Sequence, residues 1–215
     1  MTLDASERVA NGDAKGRVLA AAVELFASKG FDATSVREVA EAARVTKPTL
    51  YYYFGSKDGL GLAIVNLAEG IIETYVERMT KGRGGIVERL EGFVEAHFMA
   101  CRENQALARF LYSLTFAPRE SQPRFDVEHV HHKVRDTLTE VLVEAAGEGL
   151  LDRTRVEEAN LILTGILNIY LMAFLNHGLE LDRGRAQRAV AYFLDGVRLR
   201  GGPPADPGRE KAREQ

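Results

Sequence analysis

TSVREVAEAARVTKPTLYYYFGSK, residues 34–57, is the stretch that decides how this chain is read. It holds two short helical patterns, separated by too few residues for anything but a tight turn. In the first, Val36, Val39, Ala40 and Ala43 fall at i, i+3, i+4 and i+7, which is one apolar helix face. Thr34 and Ser35 are N-cap residue types, and Ser35 with Glu38 has the spacing of a capping box. Arg44-Val45 make the turn, and Thr46 is a second N-cap candidate. Lys47-Pro48 follow, with the proline in the first turn, where a missing N–H costs little. The second helix spans about two turns. Leu50 and Phe54 lie four apart and face inward, leaving Lys47, Thr49, Tyr51, Tyr52 and Tyr53 on or near the outside. Helix propensity ranks tyrosine in the middle and does not explain three in a row. The pattern reads as a surface presented to a partner, and a helix-turn-helix presents its second helix to the DNA major groove.

These residues resemble the TetR-type bacterial transcriptional repressors, over Val18 to about Ile64. The matching features run in register. A first helix ends in Gly30-Phe31, then come a threonine-rich cap and an alanine-rich second helix. Thr46-Lys47-Pro48-Thr49-Leu50-Tyr51 with Phe54 form the recognition helix, and Ser56-Lys57-Asp58-Gly59-Leu60 opens a fourth. Pro48 stands where glycine is more usual, and Tyr53 where histidine is common. The resemblance implies DNA contacts from Thr34, Ser35, Thr46, Lys47, Pro48, Thr49, Tyr51, Tyr52, Tyr53 and Lys57. The partner it implies is a double-stranded operator.

Composition is that of an ordinary globular chain, with 46% hydrophobic and 27% charged residues over 215 positions. The single cysteine, Cys101, excludes an internal disulfide and suits a reducing cytoplasm. No basic segment followed by an apolar run opens the chain, so no signal peptide is expected. The longest mostly apolar stretch, Leu161 to Leu175, contains Asn168 and is shorter than a membrane span needs, so no membrane is expected. The net charge of −3 is unevenly placed. Residues 1–60 hold eight Lys/Arg and eight Asp/Glu, whereas residues 35–57 hold four basic residues against two acidic. That local excess of about +2 is modest, so specificity has to rest on base contacts and dimerisation.

The expected architecture is all-α, with about nine helices and no strand. A mobile arm (1–14) precedes a helix-turn-helix head (15–55), whose first helix runs Lys15 to Lys29 with Val18, Ala22 and Phe26 buried and Gly30 at a left-handed C-terminal position. Residues 56–200 form a ligand-binding and dimerisation domain, and 201–215 a Pro/Gly-rich disordered tail. The fourth helix, Ser56 to roughly Thr80, carries Leu60, Ile64, Leu67, Ile71, Tyr75 and Val76 inward. A break at KGRGG (Lys81 to Gly85) leads to helices from Ile86 to Glu103, Leu107 to Phe116, Phe125 to Ala146, Thr154 to His177 and Arg185 to Leu199. Leu161, Leu163, Ile166, Ile169, Tyr170, Met172 and Phe174 leave the penultimate helix almost no polar face, so it is buried all round. The family resemblance implies that a homodimer partner covers it through the last two helices, with Phe193 a partner-facing residue.

In the same family, helices four to eight enclose a ligand cavity. Phe93, His97, Phe110, Phe116, Phe125, Asn168, Phe174 and His177 are the expected lining, for a small lipophilic effector. Glu128 and His132, with His129 and His131 beside them, have the i, i+4 spacing of a metal site, but no Cys or Asp cluster completes it. Cys101 reads as a small buried hydrophobe. No catalytic motif occurs, so no enzyme activity and no cofactor are expected. The main reading is a repressor released from DNA by its effector. The alternatives are a DNA-binding or interaction protein without an effector, and a metal-responsive regulator using His129 to His132.

Overall fold

Asp13 starts the described chain and its first helix, accepting from the Gly16 N–H at 2.7 Å. The computed structural model describes residues 13–81, 84–116, 123, 125 and 128–197. Residues 1–12 of the expected arm, the expected tail and the middle of KGRGG lie outside them, as do the side chains of Tyr75, His129 and His131, whereas Ala14, expected in the arm, opens the first helix. Nine α-helices and no strand are present among the described residues. They are α1 (Ala14–Lys29), α2 (Val36–Ala42), α3 (Lys47–Phe54), α4 (Lys57–Lys81), α5 (Ile86–Glu103), α6 (Gln105–Thr115), α7 (Glu128–Gly147), α8 (Val156–His177) and α9 (Arg183–Val197).

The first three helices close on Val18, Ala22, Phe26, Val39, Leu50 and Phe54, all buried. Gly30 ends α1 at φ 89°, ψ 157°, a region open essentially to glycine alone and not the left-handed helical cap expected. This sharp reversal turns Phe31 back onto Phe26, with ring centroids 5.0 Å apart. The capping box forms as the spacing predicts, with Ser35 Oγ accepting from the Glu38 N–H and Glu38 accepting from the Ser35 N–H. Lys29 adds an ion pair to Glu38 at 2.8 Å. Together these hydrogen bonds hold the Glu38 carboxyl down at about 2. The α2–α3 turn is a Schellman motif: Val45 N–H donates to Ala40 O and Arg44 N–H to Glu41 O. Arg44 occupies its left-handed position at φ 53°.

A tight turn at Gly55 (φ 70°), in which Ser56 N–H donates to Phe54 O at 2.8 Å, feeds α4 directly. Two glycines then let α4 press against what precedes it. A Cβ on Gly59 would lie 2.1 Å from the Phe54 carbonyl oxygen, and one on Gly61 2.4 Å from the Phe125 ring. The 25 residues of α4 span about 37 Å and tie the head to a body built from α5 to α9. Its buried stripe is Leu60, Ile64, Val65, Ala68, Ile72 and Val76. Leu67, expected inside, is only half-buried, because 25 residues at 3.6 per turn rotate the stripe toward Ala68 and Ile72.

Two boundaries differ from the expected ones. Phe125 was expected to begin α7, but it lies in a bend ahead of Glu128, buried against Phe31. A 3-10 turn, Arg153–Arg155, precedes α8, and Asp152 caps it through Thr154. Those hydrogen bonds lower the Asp152 pKa. With that turn, Arg153–His177 is a helix long and apolar enough by length and composition to cross a membrane, longer than the stretch counted from Leu161. Its inner side is nonetheless packed on the body through Leu163, Leu167, Leu171 and Leu175, and Arg109 of α6 donates to the Leu175 carbonyl near its end.

The two kinds of glycine in α4 make opposite predictions. Gly59→Ala should destabilise by about 1–3 kcal/mol, since the new methyl meets a backbone oxygen. Gly70, with open space where a Cβ would be, should gain about 0.5–1 kcal/mol on the same change. Urea unfolding of both variants measures this, and equal signs would show that the Phe54–Gly59 contact is not tight.

Candidate nucleic-acid interface and internal cavity

Leu50 and Phe54 anchor α3 in the head, which leaves its other sides to solvent. Tyr52 is 83% exposed, and Tyr51 and Tyr53 are exposed as well. Tyr52 and Tyr53 support each other edge to face, with centroids 5.2 Å apart. Thr46 Oγ1 accepts from the Thr49 N–H, and the two threonine hydroxyls are 2.8 Å apart. The expected Lys47, Pro48, Thr49 and Ser35 therefore lie at or near the surface on the same end of the head.

Two expected residues are placed differently. Thr34 is buried, its hydroxyl donating to Gly30 O at 2.8 Å, so it braces the α1–α2 turn and does not reach outward. The Lys57 ammonium is 4.5 Å above the Phe31 ring and donates to Asp32 O at 3.1 Å, folded back on the head. Arg44 was counted in the charge balance but not singled out as a contact. It is exposed at the turn, and no ion pair engages it among the described residues. Its signal was weak because nothing in the sequence marks a non-glycine residue at φ 53°.

The body encloses a cavity of about 1050 Å³. Its inner wall is apolar: Ala68, Ile71 and Ile72 from α4, Leu107 and Leu111 from α6, Leu167 and Leu171 from α8. Of the expected lining residues, His97 and Asn168 are there. The others are elsewhere for packing reasons. Phe93 is core. Phe110 packs on Phe26 at 5.4 Å, and Phe125 on Phe31 at 5.3 Å. Phe116 is exposed beside Tyr112, Phe174 packs on the core from outside the cavity, and His177 is exposed where α8 ends. An aromatic preference for cores carries no information on which side of a helix meets empty space.

Polar groups that were not expected also face the cavity. Asn160, 3% exposed, donates to Arg135 O and Thr139 Oγ1, both at 2.7 Å, and accepts from Thr164 at 3.2 Å. Asn160, Thr164 and Asn168 stand four apart on one face of α8. That ladder was legible as i, i+4, i+8 polar positions in an apolar helix. His97 sits on the wall with Cys101, Nε2 to Sγ 3.8 Å. Burial away from bulk water lowers its pKa to about 4 and raises that of the Cys101 thiol to about 12. The thiol is therefore uncharged and unreactive at neutral pH. No group of three or more His, Cys, Asp or Glu with metal-holding geometry occurs among the described residues. His132 instead meets the Arg135 guanidinium at 2.7 Å.

Residues 18–64 match the family described as bacterial regulatory proteins, tetR family. Over longer stretches the chain is similar to the transcriptional activator FasR of Mycolicibacterium smegmatis, 25% identical over 88% of this chain and 84% of that one. It is also similar to the transcriptional repressor KstR2 of Mycobacterium tuberculosis, 29% identical over 63% of this chain and 68% of that one. Among solved structures, FadR of Bacillus subtilis in complex with stearoyl-CoA has the same fold, with a TM-score of 0.70 at 20% identity, covering 84% of this chain and 98% of that one.

The buried His97 gives a pH prediction with a defined sign. Its folded pKa lies below the unfolded value of 6.5, so the unfolded chain binds the extra proton. Stability is then complete above about 6.5 and falls as the pH drops toward 4. Between pH 7 and 5 this amounts to about 2 kcal/mol. The Glu38 contribution, whose folded value is also depressed, is lost only below about 4.5. Denaturant unfolding of wild type and His97→Leu at both pH values separates the two, and an equal pH slope in the variant would show that His97 is hydrated.

Proposed function

The chain belongs to the TetR family of bacterial regulatory proteins and is a DNA-binding transcriptional regulator, and we propose on that footing that it is a cytoplasmic homodimeric repressor released from its operator by a small apolar molecule. The observation that carries the proposal is the pairing of one exposed tyrosine-rich helix with one large apolar cavity, joined by α4 and α6. Tyr51, Tyr52, Lys47 and Thr49 read bases or phosphates in the major groove, while Arg44 and Ser35 hold the backbone beside it. The chain has no catalytic role in this reading, and it needs no metal or cofactor.

Dimerisation is supported by what α8 and α9 leave outside. Leu161 is 73% exposed, Ile169 54% and Tyr192 68%, with Ile162 and Gly165 between them on α8. An apolar stripe of this size on a monomer is a covered surface in the working protein. It is also where the apolar length of α8 that satisfies a membrane criterion finds its cover. Phe193, expected to face the partner, is 2% exposed within its own protomer, so the partner-facing ring on α9 is Tyr192. Two heads in a dimer meet half-sites about one helical turn, ~34 Å, apart. A ligand against Ile71 and Ile72 tilts α4, and one against Leu111 moves Phe110 and the head above it. A preference of ~3 kcal/mol for the non-binding spacing lowers operator affinity about 150-fold.

Two measurements test this. Tyr52→Ala should weaken operator binding at least tenfold while shifting the melting temperature by no more than about 1 °C, measured by anisotropy with operator duplex and by calorimetry. A matching loss of stability would place the ring in the core. Ile169→Asp should convert a sedimenting dimer to monomer at micromolar concentration, and a wild-type monomer under those conditions would rule out the interface.

A further inference from the structure

We infer that the cavity takes a neutral molecule, an apolar skeleton carrying a hydroxyl group, bound through Asn168 and Thr164, and that it rejects polyanionic thioesters such as acyl-CoA. This rests on the reading of the cavity as an effector site and specifies its ligand class.

The first part follows from hydrogen-bond capacity. Along the ladder on α8, Asn160 is satisfied, its amide N–H groups donating twice and its oxygen accepting from Thr164. Thr164 has thereby used its donor, and its oxygen lone pairs remain available. Asn168, the next rung, makes no hydrogen bond among the described residues, although it lines the cavity within an apolar helix. An amide in that position offers one acceptor and two donors to whatever fills the space, and leaving it unpaired against an apolar ligand costs binding energy. A hydroxyl placed between Thr164 and Asn168 satisfies both, donating to the Thr164 oxygen and accepting from the Asn168 amide. Around this point the wall is made by Leu107, Leu111, Leu167 and Leu171, which suits a hydrocarbon skeleton.

The second part follows from charge. Among the described residues, the charged ones that line the cavity are Arg135, Asp136, Glu157 and Glu158, one cation against three anions, and all four are exposed. Arg135 is already engaged, 3.9 Å from Asp136 and hydrogen-bonded to His132. Arg155 offsets Glu158 at 4.0 Å, which still leaves the mouth net negative. A phosphorylated head group leaving the cavity there meets repulsion and finds no free cation among the described lining residues, an arrangement that selects against such ligands. The stearoyl-CoA bound by the structurally similar FadR is therefore the wrong class of ligand for this chain.

The test uses the full-length protein and Nile red as a neutral cavity reporter, displaced by a chain-matched series: dodecan-1-ol, dodecanoyl-CoA and dodecyltrimethylammonium. The expected result is that dodecan-1-ol binds at least tenfold more tightly than dodecanoyl-CoA. Asn168→Leu should weaken dodecan-1-ol by roughly tenfold and change dodecyltrimethylammonium by less than twofold, since that head group makes no hydrogen bond. Thr164→Val provides the same comparison should Asn168→Leu fold poorly. Dodecanoyl-CoA binding as tightly as the alcohol would overturn the inference and leave the effector reading standing. So would tightest binding by the ammonium, which would make the carboxylates the recognition group. Failure of Nile red and of every probe to bind would remove the effector reading itself.

Discussion

Head and body are held together by a cluster of four phenylalanine rings. Phe26 and Phe31 of the head meet Phe110 of α6 and Phe125 ahead of α7, with successive centroids 5.0 to 6.4 Å apart. Gly61 makes room for two of these rings, and Gly30 delivers Phe31 into the cluster by a backbone turn that side chains resist. Edge-to-face and tilted packing of this kind is directional as well as apolar. The cluster therefore holds the head, and with it the exposed face of α3 proposed to read DNA, in a fixed position on the body.

The same cluster gives α6 as large a part as α4 in the proposed coupling. One side of α6 presents Phe110 to the head, and the other presents Leu107 and Leu111 to the cavity. Its Arg109 holds the end of α8 through Leu175 O and Asn176. Eleven residues thus touch the head, the cavity and the helix proposed to form the dimer. Close-packed elements of this kind move as units and transmit a displacement without absorbing it. One layer of side chains separates Leu111, on the cavity wall, from the head.

Helix α8 shows a division of labour that its composition conceals. Its outer stripe is apolar and exposed, which is costly unless a partner covers it. Its inner face carries Asn160, Thr164 and Asn168, polar groups tolerated only where hydrogen bonds await them. Asn160 finds its partners in α7, whereas Asn168 meets the cavity. A single apolar helix therefore packs on the body, lines the cavity and carries the stripe proposed to form the dimer.

The sequence alone determined the all-α architecture, the extent of most helices and the identity of α3 as the presented surface. Those features rest on local physics: 3.6-residue periodicity, Ser35–Glu38 and Thr46 caps, and glycines where the chain must reverse. The caps and the exposed tyrosines are found where that reasoning placed them. What only the tertiary structure decided is which apolar side chains meet each other and which meet empty space. Phe110 and Phe125 have the composition of cavity-wall residues but pack under the head, and Phe193 has that of an interface residue but fills its own core. Thr34 and Lys57 were read as outward and turn inward, because Gly30 O and the Phe31 ring stand within reach in space and far from obvious in sequence. A helix face is defined by its own residues, whereas its neighbour is set by the mutual packing of the described helices at once. Local periodicity therefore determines the elements, and only their mutual packing determines the cavity.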